Sequence, residues 1–129
     1  MNCMMESLEF EDFTIEHFPH YVRVTIEGTR LDALIAPKLK SELVVLSGSG
    51  AKNIVLDMRK VRYCDSSGLS AILVANRLCR SARGVLVLLG VSEDVQRLLT
   101  ISQLQSVLNI AENDEQVEHF IPVELPRRG

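Results

Sequence analysis

Tryptophan is absent from the 129 residues, and aromatic side chains make up only 5% of them. Nucleic-acid bases are held largely by stacking on aromatic rings, so material for a stacking platform is scarce. Basic charge is thin as well. Lys and Arg number 14 against 17 Asp and Glu, a net charge of -3, and arginines such as Arg62, Arg77, Arg80, Arg83 and Arg97 stand singly, apart from an Arg127-Arg128 pair. Displacing counterions from a phosphate backbone takes a denser basic patch, so direct nucleic-acid binding is not expected. No apolar run approaches the roughly 18 to 20 residues that cross a bilayer, and the opening MNCMMESLEF has neither a basic n-region nor an apolar h-region. The expectation is a cytoplasmic chain without membrane insertion. Cysteine is equally sparse: Cys3, Cys64 and Cys79 are odd in number and show no CxxC or Cys/His ligand spacing. That pattern suits small buried hydrophobes in a reducing compartment, and no metal or cofactor is expected.

What is present is apolar and periodic. With 47% apolar and 24% charged residues, the chain has the size and balance of one domain with one core. That domain spans 1–129, with its core at about 8–120 and flexible ends at 1–7 and 122–129. Residues 8–18 and 21–28 alternate apolar and polar around a Pro19-His20 turn, which predicts a hairpin with one wet face. In 31–46 the apolar residues Leu34, Ile35, Leu39, Leu43 and Leu46 recur at helical steps. Pro37 is tolerable only in a first turn, so the helix should begin near residue 36 and end in the Ser/Gly-rich stretch 47–51.

Residues 53–58 form a near-continuous apolar run, the signature of a central strand covered on both faces. From 68 to 83 the spacing is helical, with Leu69, Ile72, Leu73, Asn76 and Cys79 as the expected buried stripe and the first half buried almost all round. Gly84 is the expected left-handed residue ending this helix. A second buried strand follows at 85–89. Ser92 with Glu93 and Asp94 then reads as a cap, opening a helix through Leu98 and Leu99 that could continue to Leu108. Residues 109–120 have room for one more short strand and helix. This alternation predicts an α/β fold with right-handed crossovers and parallel strands after Gly28.

The chemistry-bearing motif is Asp65-Ser66-Ser67-Gly68, where the chain leaves a strand and opens a helix. Open α/β sheets present functional groups at such turns. The plain alternative is helix capping, since Asp and Ser are favoured N-cap residues and a cap contributes about 1 kcal/mol. Enzyme readings fit less well. A nucleophile elbow needs Gly-x-Ser-x-Gly and a partner histidine, whereas Cys64 and Asp65 precede Ser66 and the histidines lie at 17, 20 and 119. The stretch GSGAKN at 48–53 precedes a strand, not a helix, which disfavours a P-loop. Asp57 with Asp65 offers two carboxylates for Mg²⁺, but two carboxylates near a turn are more often caps and solvated charges.

The block CDSSGLSAIL at 64–73, with VRVTIEGTRLDALIAPKL at 22–39, NIVLDMRKVRYCDSSGL at 53–69 and VLVLLGVSEDVQRLLTISQL at 85–104, resembles the STAS domain family. The likeness is to the bacterial anti-sigma factor antagonists in particular and covers nearly the whole chain. It implies a mixed, mostly parallel sheet of four to five strands flanked by four to five helices. Such a domain works by binding, in signal transduction and transcription regulation, with no active site. It also implies that Ser66, with Ser67 as second choice, is phosphorylated by a partner that is both serine kinase and anti-sigma factor. A metal-dependent, PP2C-type serine phosphatase reverses the step. The implied partner-binding residues are Asp65, Ser66, Ser67, Gly68 and Leu69, with Gly68 allowing close backbone approach. Two departures are mild: Cys64 stands where Ile, Met or Val is common, and the sequence after Ile110 matches poorly. The competing expectations are a non-switching accessory subunit of a larger signalling or lipid-transport assembly, and nucleotide binding at the same turn.

Overall fold

The computed structural model describes residues 7–9 and 12–121; the expected flexible ends lie almost wholly outside these residues. The strands are β1 (Ser7–Glu9), β2 (Phe13–His17), β3 (Val22–Ile26), β4 (Arg30–Leu31), β5 (Ile54–Asp57), β6 (Tyr63–Cys64), β7 (Leu86–Leu89) and β8 (Asn109–Ala111). The helices are α1 (Ala36–Gly48), α2 (Ser66–Ser81), α3 (Glu93–Ile101) and α4 (Asp114–Phe120). The main sheet runs β1-β2-β3-β5-β7-β8, and a separate two-stranded piece pairs β4 with β6. From β1 to β3 the neighbours are antiparallel, and from β3 to β8 they are parallel. This is the mixed, mostly parallel sheet expected; one strand is added because the alternating run at 8–18 is split between β1 and β2.

Alternation along β2 and β3 buries Phe13, Ile15, Val22, Val24 and Ile26 on one face, as a half-wet hairpin requires. β5 and β7 are buried at every position, so both sheet faces are covered there. Ile54 and Leu56 look toward the larger core under α1, α2 and α3, while Val55, Val87 and Leu89 look toward a smaller one closed by Val117 and Ile121. Asn53 is buried just before β5. Its amide donates to the His20 carbonyl at 3.1 Å and accepts from the Val85 N–H at 2.9 Å, tying three strand entrances together without leaving a polar atom unpaired.

Several local expectations are corrected. Leu34 shares the helical spacing of Leu39, Leu43 and Leu46, but it is 80% exposed. The Asp32 carboxylate accepts from the Leu34 N–H at 3.1 Å in a tight turn that ends before Ala36, so Leu34 precedes the helix and points outward. In α2 the buried residues are Gly68, Ala71, Ile72, Ala75 and Cys79, while Leu73 is 37% exposed. The apolar stripe expected there is therefore rotated, with small residues inward because α1 packs closely against α2. The first half is not buried all round.

Helix ends also differ from the expectation. Arg83, not Gly84, takes the left-handed conformation (φ 64°), with Gly84 N–H donating to the Cys79 carbonyl at 2.7 Å. Gly84 is needed for another reason: a Cβ there would lie 1.9 Å from the Lys52 carbonyl oxygen. α3 stops at Ile101 and does not run to Leu108, because Gln103 (φ 61°) closes it the same way, Leu104 N–H donating to the Leu99 carbonyl at 2.8 Å. Leu108 still reaches the core, delivered by the turn before β8.

Candidate functional site

The site begins where β5 ends. Asp57 is buried, and Arg59 grips its carboxylate with Nε–Oδ1 at 3.0 Å and Nη2–Oδ2 at 2.7 Å, while the Arg59 N–H donates to the same carboxylate at 3.1 Å. This two-pronged pairing fixes the start of the loop that returns through β6 to α2. β6 then pairs with β4 in parallel, Arg30 opposite Tyr63 and Leu31 opposite Cys64. Two residues per strand are too few to show periodicity, yet this pairing places the Leu31 carbonyl against the mouth of α2. The Asp65 N–H donates to it at 3.3 Å.

Asp65 is the N-cap, with extended backbone and Oδ1 accepting from the Gly68 N–H at 3.0 Å. The capping alternative is thus realised, and by Asp65 alone. Ser66 and Ser67 occupy the first two helical positions; Ser66 is exposed and Ser67 half-buried, and neither hydroxyl has a hydrogen bond among the described residues. Gly68 faces inward and is buried. A Cβ on it would lie 2.3 Å from the Leu31 oxygen and 2.6 Å from Cys64 Sγ, so only glycine lets the helix seat this close to β4 and β6. Leu69 is half-buried against the larger core. Of the five residues expected at the binding turn, Ser66 thus presents its side chain most openly, Asp65, Ser67 and Leu69 less so, and Gly68 supports the others from below.

Neighbouring exposed groups widen the surface. Leu34 stands three residues beyond Leu31. Tyr63 is 44% exposed, with the Arg30 guanidinium 4.2 Å over its ring and Arg30 in turn paired with Asp32 at 3.2 Å. None of these was singled out for the site by sequence. An Arg and a Tyr facing each other across two-residue strands leave no pattern in the linear chain.

Catalytic readings find little here. Asp57 is occupied by Arg59 and Asp65 by the cap, and no group of three or more potential ligands that could hold a metal ion is found among the described residues. His20 lies at the opposite, amino edge of the parallel strands, where its carbonyl meets Asn53, and His119 belongs to α4 on the other sheet face. Neither is placed to act as base for Ser66. Cys64 is buried under the turn, its thiol pushed up to about 12 chiefly by burial and secondarily by the Asp65 charge, and burial raises Cys79 to about 11. Both are small core residues with inert thiols. Cys3 lies outside the described residues. Among them, no helix is long and apolar enough to cross a membrane.

A family profile, the STAS domain, matches residues 12–117, which takes in the hairpin, the sheet and the Asp65 turn. The chain belongs to the STAS domain family. Within it, the chain is 30% identical over 104 residues to an anti-sigma-B factor antagonist of Listeria monocytogenes, covering 81% of this chain and 87% of that one. It is 29% identical over 115 residues to the protein of the same name from Staphylococcus epidermidis, covering 89% and 98%. Among solved structures, the STAS fold seen here superposes on the Bacillus cell fate determinant SpoIIAA with a TM-score of 0.66, 20% identity and coverage of 83% of this chain and 97% of that one.

Proposed function

We propose that this STAS domain is an anti-sigma factor antagonist that works by partner switching in the cytoplasm. Unphosphorylated, it binds a serine kinase that doubles as an anti-sigma factor; phosphorylated on Ser66, it lets go until a PP2C-type phosphatase removes the phosphate. The observation that carries this reading is the exposed Ser66 hydroxyl, left unused at the first position of α2 because Asp65 has taken the cap. It agrees with the names of the curated relatives and with the description of SpoIIAA, for that protein, in a phosphorylated form. The domain itself is a binding module, not an enzyme.

The energetics favour a switch at the interface over a switch in the fold. A phosphoserine brings about -1.5 to -2 charges. The α2 amino terminus attracts such an anion by about 0.3 to 1 kcal/mol, and the Asp65 carboxylate repels it by a comparable amount, so the domain barely responds. A partner pressed on the turn must instead desolvate an unpaired dianion, at a cost of about 2 to 5 kcal/mol. That corresponds to roughly thirty- to several-thousand-fold in affinity.

Incubation with ATP and candidate serine kinases, followed by phosphate mapping by mass spectrometry, tests the assignment. Labelling at Ser66 and loss of kinase binding in Ser66→Asp are expected. Persistent inertness of Ser66, or a Ser66→Asp protein that binds the kinase like wild type, refutes it and leaves the accessory-subunit role.

A further inference from the structure

The outward line of α2 runs Ser66, Ser70, Leu73, Arg77 and Arg80, positions spaced by four and three residues and therefore within about 40° of Ser66 on either side around the helix. Burial bears this out: Ser66, Leu73, Arg77 and Arg80 are exposed, and the buried residues of α2 lie on the opposite side. A shallow open groove of about 360 Å³ lies along the far half of this line, bounded by Leu73, Asn76, Arg77, Arg80 and Ser81. Neither guanidinium has an ion pair among the described residues, although Arg23, Arg30, Lys38, Arg59, Lys60 and Arg97 each have one there. The charge distribution is lopsided. From Ser66 to Ser92 the sequence holds three arginines and no carboxylate, while the rest of the chain carries 17 carboxylates against 11 cationic side chains.

We propose that Arg77 and Arg80 are the electrostatic half of the partner-docking strip, and that the kinase presents an acidic patch to them while an apolar pocket covers Leu73. This rests on the partner-switching reading and gives the partner's surface a chemistry. Two guanidinium groups lie about 16 to 21 Å along the helix from Ser66, so they belong to a protein footprint and are too few to hold nucleic acid. Arg80, in the last turn, also complements the helix dipole. Arg77 stands nearly a full turn earlier, where that effect has faded. Attraction to Arg77 and Arg80 is independent of the phosphate, so it speeds encounter in both states, and the charge at Ser66 alone decides whether the encounter becomes a complex.

The test uses the full chain and the purified serine kinase that labels Ser66, with association followed by surface plasmon resonance at low and high salt. The double variant Arg77→Glu/Arg80→Glu should fold as wild type by circular dichroism and lose about tenfold or more in association rate, with a flattened salt dependence. Arg77→Lys/Arg80→Lys should keep most of the rate, because it keeps the charge. If the Glu variant associates like wild type while Ser66→Asp still prevents binding, the acidic-partner inference is wrong and partner switching stands. If the wild type does not bind the kinase, or Ser66→Asp binds it unchanged, partner switching itself fails and this inference falls with it.

Discussion

The inward and outward sides of α2 are built under opposite constraints. Inward, the helix is seated so closely that a single Cβ at Gly68 would strike the Leu31 carbonyl and the Cys64 sulfur. Gly84, just past its end, is in the same position against Lys52. Small residues such as Ala71 and Ala75 complete this side. Outward, Ser66, Arg77 and Arg80 are exposed, and Leu73 is partly so at 37%. The contrast separates two jobs that sequence alone runs together: the inner side fixes where the turn is held, and the outer side is free to carry a modification. Under the proposed switch, a phosphate on Ser66 would sit on this outer side, away from the close packing at Gly68.

Substitutions can break this contrast in order of expected effect. Gly84→Ala and Gly68→Ala each drive a methyl group into rigid backbone, so each should destabilise by about 3 kcal/mol, at the top of the range for overpacking. Urea denaturation measures it; a loss under 0.5 kcal/mol at Gly68 would mean that α2 can slide outward and that the turn is not rigidly held. Asp65→Ala removes the cap and should cost about 1 kcal/mol by the same assay, whereas Asp65→Asn should recover most of it. On the outer side, Leu73→Ala should cost about 1 kcal/mol, because that side chain is only 37% exposed, and Ser66→Ala should stay within about 0.5 kcal/mol of wild type.

An effect absent at neutral pH concerns the thiols. Cys64 and Cys79 are held protonated by burial at about 12 and about 11, above the roughly 8.5 of an unfolded chain. The native state therefore keeps its protons longer, and the stability these groups contribute is complete below about pH 8.5 and drains away as pH rises toward 11 to 12. At pH 8 both should react with a disulfide reagent only on unfolding. Fast labelling of Cys64 in the folded protein would show the inner side of the turn to be open.

Much of this was readable in the chain. Ile54, Val55 and Leu56 announce a strand covered on both sides because a doubly buried strand needs no polar alternation, and Asp65-Ser66-Ser67-Gly68 marks the helix mouth through its capping chemistry. The rotation of α2 was not readable. Leu73 is as apolar as Ile72, and only the close approach of α1 decides that Ala71 and Ala75 turn inward. β4 and β6 are too short for any period, so the seat they make for Gly68 emerges only when residues 30–31 and 63–64 meet. Arg83 and Gln103 take left-handed conformations that glycine usually signals, so the left-handed residue after α2 lies one position before the expected Gly84, and nothing in the chain marks the end of α3.

The most direct test compares the chain phosphorylated at Ser66 with the unmodified chain in two measurements on the same samples, affinity for the kinase and thermal unfolding. The expected result is a loss of affinity of roughly thirty- to several-thousand-fold with a melting shift of no more than about 2 to 3 °C. Undiminished affinity, or a domain that unfolds when the phosphate is added, would contradict a switch confined to the outer side of α2.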